Sequence, residues 1–140
     1  MSPEASTTTT ARHRGTALVE DMLELAYEFV REGWCQGAAA RDACGRPVSP
    51  ASAFATRWSA PGALERAWER HEDRFGLALD AFERANLALA AATGEVPQAW
   101  NDAAGRTLHE VLDALAEAIH LVVGPPQLTY VAPKAGSVGR

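Results

Sequence analysis

Apolar positions recur at helical spacing in three stretches of the chain. Leu18, Met22, Leu25 and Phe29 share one helical face, and Val19, Ala26 and Val30 widen it. Thr16 offers an N-cap for this first helix, with Glu20 and Asp21 placed early where the helix dipole favours anions. Gly33 stands at a C′ position and closes it. A second pattern runs from Asp73 to Thr93, with Phe75, Leu79, Phe82 and Leu89 on one face and Gly94 as its stop. The third begins with Thr107 and Glu110 in capping-box form and carries Leu108, Val111, Leu112, Leu115, Ile119 and Val122. Gly124-Pro125-Pro126 ends it.

Weaker signals lie between these. Ser49-Pro50 is an N-cap followed by proline at the first helical position, which predicts a short helix through "ASAFATRW". Pro61 lacks an N–H and restricts Ala60 before it, so it interrupts that path. A new helix capped by Ser59 then carries "GALERAWERH". Strands of period two and internal repeats are absent from the pattern. Residues 1–15 are polar and Thr-rich and predict a disordered tail; residues 125–140 predict an extended tail along the surface, with "LTYV" its strand-like patch. Between them, residues 16–124 are expected to form an all-α, single-domain helical bundle of three strong amphipathic helices and one or two short ones.

Composition narrows the function classes. A chain of 140 residues is long enough for one core without metals or disulfides. Its net charge of −5 argues against a nucleic-acid groove or an anionic membrane as partner. Neither a signal peptide nor an apolar run of membrane-spanning length is legible, and a cytoplasmic protein is expected. Cys35 and Cys44 do not resemble a disulfide framework.

Metal and thiol chemistry fit poorly. Zinc sites use closely paired Cys and His ligands, whereas His13, His71, His109 and His120 are scattered. His109 and His120 sit about 16 Å apart along one helix axis and cannot share an ion. Helical di-metal sites use two Glu-x-x-His motifs and the chain has one, Glu117 to His120, so no cofactor and metal independence are expected. Cys35 has no sequence-visible activating neighbour and reads as a small buried hydrophobe. Glu20, Glu24 and Glu28 form an acidic stripe at i, i+4, i+8 of the first helix: a solvated face, or a face for a basic partner.

Two polar clusters stand apart, "WCQGAAARD" and "AWNDAAGRT". Each sets a Trp close to amide, carboxylate and Arg groups, and adjacent Arg and Asp suit a charge-assisted pair. Either these residues cap helix ends and tie loops to the bundle, or they line a Trp-walled pocket.

At these clusters the chain resembles an uncharacterised family of short actinobacterial and phage-borne proteins. "GWCQGAAARDACGRPV", "RWSAPGAL" and "AWNDAAGRTLHEVLDAL" fit its ordered motifs GW(C/T)QGAxARD, RWCAxGAL and WNDxxGRTxEVL across about Gly33 to Leu115. The matching positions include Trp34, Gln36, Gly37, Arg41, Asp42, Gly45, Arg57, Trp58, Gly62, Trp100, Asn101, Asp102, Arg106 and Thr107. The resemblance implies a compact, mostly helical domain and no particular reaction. Ser59 stands where that family commonly has Cys, and Pro61 interrupts a helical segment. The altered floor implies a member recruited to bind a particular small molecule, for instance in secondary metabolism.

The expected function is a cofactor-free helical protein that binds a small molecule or peptide, in its catalytic form a lyase, isomerase or cyclase-type tailoring enzyme. Asp102 or Asp42 would be the acid or base, with Trp34, Gln36, Arg41, Arg57, Trp100, Asn101 and Arg106 binding substrate. A carboxylate base needs its pKa raised by burial, whereas a paired Arg lowers it. The competing expectation is a non-catalytic protein-interaction module; a homodimer is compatible with either.

Overall fold

A computed structural model describes residues 3–71 and 76–124. The elements in chain order are α1 (Pro3–Glu32), β1 (Ala40–Arg41), β2 (Arg57–Trp58), α2 (Ala60–Glu69), α3 (Leu77–Thr93), α4 (Pro97–Asn101) and α5 (Leu108–Val123). The domain is all-α, with a two-residue antiparallel ribbon pairing Ala40 with Trp58 and Arg41 with Arg57. Phe75 and the segment 125–140 with its "LTYV" patch lie outside the described residues.

Helix α1 packs against α5, α2 and α3. Val19, Met22, Leu23, Ala26, Phe29 and Val30 are buried along it, while Leu18 and Leu25 sit half-buried at the borders. It begins at Pro3, so Thr16 lies inside the helix, and it covers the Thr-rich segment expected to be disordered. Proline's preset φ suits a helix's first position.

Helix α3 corrects one expectation. Its buried stripe is Ala78, Ala81, Ala85 and Leu89, and Leu79 is exposed. Alanines let α3 approach its neighbours closely, which turns the larger Leu79 outward. Gly94 ends the helix in the left-handed conformation. Helix α5 carries the expected capping box at Thr107 and Glu110 and buries Val111, Ala114, Leu115 and Ala118.

The short helix expected over 51–58 does not form. Ser49 and Ser52 each accept a hydrogen bond at their hydroxyl from the N–H two residues on, at 3.2 and 3.0 Å. These local bonds build successive turns in place of helix, and the chain then enters β2. Ser59 caps α2 as expected, its Oγ accepting from Gly62 N–H at 3.0 Å, with Pro61 in the first turn.

Two glycines permit close crossings above this ribbon. A Cβ at Gly62 would lie 1.9 Å from the Ala39 carbonyl oxygen. One at Gly33 would lie 2.3 Å from the Thr56 carbonyl oxygen. Gly33 therefore serves close approach and not a left-handed C′ turn, since its φ is not positive. The segment after α1 is thus clamped against β2, with Trp58 N–H donating to Gly33 and Cys35 N–H to Trp58.

Candidate functional site

The two polar clusters meet. The loop after α1 lies against α4 and the turn that follows it, and Asn101 is the hub. Asn101 is fully buried, yet each of its side-chain groups is used. Its Oδ1 accepts from Trp34 Nε1 at 2.9 Å and from Ala60 N–H at 3.0 Å. Its Nδ2 donates to the Cys35 carbonyl at 3.1 Å and to Asp102 Oδ1 at 2.9 Å. Gln36 Nε2 reaches across to the carbonyls of Asn101 and Ala103 at 2.9 and 3.0 Å. Asp102 also accepts from Gly37 N–H at 2.9 Å and from Gln98 Nε2. This is a polar clasp between segments about sixty-five positions apart in sequence.

Arg41 and Asp42 do not form the pair their adjacency suggested. Successive residues in an extended segment point to opposite sides. Arg41 donates to the Gln36 carbonyl through Nε and Nη2 at 3.2 and 3.0 Å, and to the Gly45 carbonyl at 2.8 Å. Asp42 instead accepts from the N–H groups of Cys44 and Arg46, both at 2.9 Å, and from Arg46 Nε at 3.2 Å. Both residues shape the turn at 42–46.

The remaining candidates scatter. Arg57 is exposed on β2. Arg106 stacks on Trp100, its guanidinium carbon 3.9 Å from a ring centroid, and donates to the Trp100 carbonyl at 2.8 Å. Trp100 and Arg106 border a shallow pocket with Glu110, Asp113 and Glu117. Trp34 turns its indole N–H to Asn101. The two tryptophans therefore do different jobs, and only Trp100 borders that pocket.

Electrostatics follow the same geometry. Burial pushes the Asp102 carboxyl up, but hydrogen bonds from Gly37, Asn101 and Gln98 and the charge of Arg41 outweigh it and hold the group below the usual range. The backbone N–H of Arg46 comes first in holding Asp42 low, helped by Cys44 N–H and the Arg46 charge, against a smaller effect of burial. Carboxylates so stabilised are weak bases. Burial raises the Cys35 thiol despite Arg41 and Arg57, so it stays protonated at neutral pH. Cys44 is exposed, and among the described residues no group of three or more His, Cys, Asp or Glu side chains is placed to hold a metal ion.

A different face offers room. A groove of about 620 Å³ runs between α1 and α5, with His71 beyond the end of α2 at its edge. Leu25, Tyr27, Ala116 and Ile119 give it apolar walls, and Asp21, Glu24 and Glu28 stand along the α1 side. Glu28 is paired with Arg31 in an exposed ion pair. Among the described residues no cation pairs with Asp21 or Glu24. Burial, a hydrogen bond with Glu20 and the charges of Glu20 and Asp21 raise the Glu24 carboxyl.

A family model matches residues 14–121. The chain belongs to a family of unknown function, DUF6197. Neither curated proteins nor solved structures gave a match. No helix among the described residues is long and apolar enough to cross a membrane.

In this DUF6197 domain the groove residues Asp21, Leu25, Tyr27, His71, Ala116 and Ile119 escaped the sequence-based site assignment. The signal was present in part. The Glu20/Glu24/Glu28 stripe was legible as a charged face, but pairing it with apolar residues of α5 required the helix packing. Ser59 and Gln98 were also missed as clasp members; Ser59 Oγ donates to Gln98 Oε1 at 3.0 Å.

Proposed function

We propose that this domain is a non-catalytic binding module whose ligand lies in the α1–α5 groove. The observation that carries this is the contrast in hydrogen-bonding supply. The clasp's Asp102 carboxylate and its amides are already engaged with one another, whereas Asp21 and Glu24 border half-buried apolar residues without a cationic partner among the described residues. Leu25, Tyr27 and Ile119 supply the apolar contact area that ligand sites use, with a few polar groups at the edge to orient what binds. The clasp holds the loop after α1 in place and so fixes the end of the helix that builds the groove.

The catalytic alternative places a carboxylate acid or base at Asp102 or Asp42. Lowered pKa values and saturated acceptors disfavour it. The discriminating experiment is a titration with the neutral apolar dye N-phenyl-1-naphthylamine followed by amide chemical shifts. Shifts centred on residues 21–28 and 116–119 are expected. Shifts centred on Trp34, Asp102 and Arg106 instead would move the site to the clasp.

A further inference from the structure

The spacing and sign of the groove's charges specify more than an apolar ligand. We infer that the groove takes a cationic amphipathic helix from a partner protein, an inference that rests on the groove being the binding site. Asp21, Glu24 and Glu28 are spaced i, i+3 and i+7 on α1, so they form one row along the apolar trough. From Asp21 to Glu28 that row extends about 10 Å along the helix axis. One ammonium group reaches a carboxylate only within about 4 Å, so a single small cation cannot serve the whole row. A helix can: its side chains at i, i+3, i+4 and i+7 form an apolar ridge that fills such a trough. Lys or Arg beside that ridge recur at the same rise per residue as the carboxylates they would face.

The walls fit this occupant. Leu25 and Tyr27 from α1 and Ala116 and Ile119 from α5 leave an apolar strip between two helices, the surface on which a third helix packs. Charge complementarity chooses the sign. The row holds three carboxylates, Glu20 stands one turn behind Glu24, and among the described residues the cation paired to the row is Arg31 on Glu28. That pair is exposed on both sides, and exposed pairs exchange partners at little cost. Among the described residues the other titratable groups lining the groove are Tyr27 and His71. The whole chain carries a net charge of −5, so long-range attraction favours the same partner.

The test uses the full chain and a fluorescein-labelled, 14-residue Leu/Lys amphipathic helix, with a Lys→Gln analogue and a scrambled peptide of equal charge. N-phenyl-1-naphthylamine reports separately on the apolar trough. The Leu/Lys helix should displace the dye and bind about tenfold more tightly than the Gln analogue, the factor expected from a few exposed ion pairs. Raising salt should remove that preference. Asp21→Lys with Glu24→Lys should lose the Leu/Lys helix and gain a Leu/Glu helix, a swap that misfolding would not produce.

Equal binding of the Lys and Gln peptides would overturn the cationic partner and leave the groove reading intact. Equal binding of the scrambled peptide would overturn the helix. Dimerisation in sedimentation velocity that is abolished by Leu25→Asp would replace the partner with a second copy. Displacement of the dye by a peptide of residues 125–140 as strong as that by the Leu/Lys helix would assign the groove to this chain's own segment. Failure of the dye to bind would instead sink the groove reading beneath all of these.

Discussion

The clasp and the groove use the same kinds of side chain to opposite ends. In the clasp, Asn101, Gln36 and Asp102 are surrounded by matched donors and acceptors, and a buried polar group satisfied in this way fixes one arrangement of the backbone. In the groove, the Asp21 and Glu24 carboxylates face water and one another, and burial raises Glu24 further. Density of polar chemistry therefore marks the rigid part of this molecule. Carboxylates beside apolar surface, with no cationic partner for Asp21 or Glu24 among the described residues, set the groove apart and are the ground on which a ligand is proposed there.

The comparison breaks most decisively at Asn101. Replacing it with Ala would strand the Trp34 indole N–H, the Ala60 N–H and the Cys35 carbonyl in the interior. At about 1–3 kcal/mol for each unsatisfied group, a total near 4 kcal/mol is expected. Thermal unfolding should drop by roughly 15 °C. A change of only a degree or two would mean that the clasp does not hold the fold.

Gly62→Ala probes the same region through packing alone. Its Cβ would meet the Ala39 carbonyl oxygen at 1.9 Å, so either the loop or the start of α2 must move. A loss of about 1–3 kcal/mol in urea unfolding is expected, as for other overpacked interiors. Stability unchanged from the parent would show that the crossing is looser than this.

Asp102→Asn sharpens the comparison, because it keeps the shape and removes the charge. It should cost about 1 kcal/mol at pH 7, the difference between charge-assisted and neutral hydrogen bonds. The pH dependence has a definite sign. A carboxyl held low in the folded state adds stability above its unfolded pKa, and that stability is lost as pH falls through the folded value. Parent and variant should therefore converge in acid, well below about pH 4. Parallel melting curves at all pH values would show that the charge of Asp102 does nothing for the fold.

The smallest effect belongs to the groove and has the opposite sign. Glu24→Gln removes a carboxylate that is raised in the folded state, whose penalty exists only above the ordinary carboxylate pKa. A gain of about 0.3 kcal/mol at pH 7 is expected from relieving like charges one turn apart, vanishing in acid. A loss of stability at pH 7 would mean that Glu24 has a structural partner.

Helices α1, α2, α3 and α5 were legible because each carried its own local evidence, whereas the five-residue α4 was not expected. The Thr107/Glu110 capping box, the Ser59 cap and the stop at Gly94 depend on neighbours within one turn. The failures came where local signals competed or long-range packing decided. Ser49-Pro50 predicted helix, but Ser49 and Ser52 closed turns on their own backbone. Leu79 predicted a core position, but α3 packs through its alanines. Composition singled out Trp34, Gln36, Arg41, Asp102 and Asn101 as a polar group; that Asn101 is the hub depends on α4 meeting the loop after α1. Arg41 and Asp42 were paired by adjacency, which an extended backbone forbids. The groove needed two helices at once, and a period found in one helix cannot show which residues of another stand across from it.

The clasp also bears on the time course of folding. Its bonds join segments about sixty-five positions apart, whereas the helices form from contacts within a turn or two. Contacts that close long loops carry the larger entropic cost and tend to form after local ones. Asn101 and its partners should therefore be largely unmade at the folding barrier. Weakening them would leave the refolding rate close to the parent's and speed unfolding by nearly the whole loss in stability. The Trp34–Asn101 contact would then set how long the native molecule lasts more than how fast it forms.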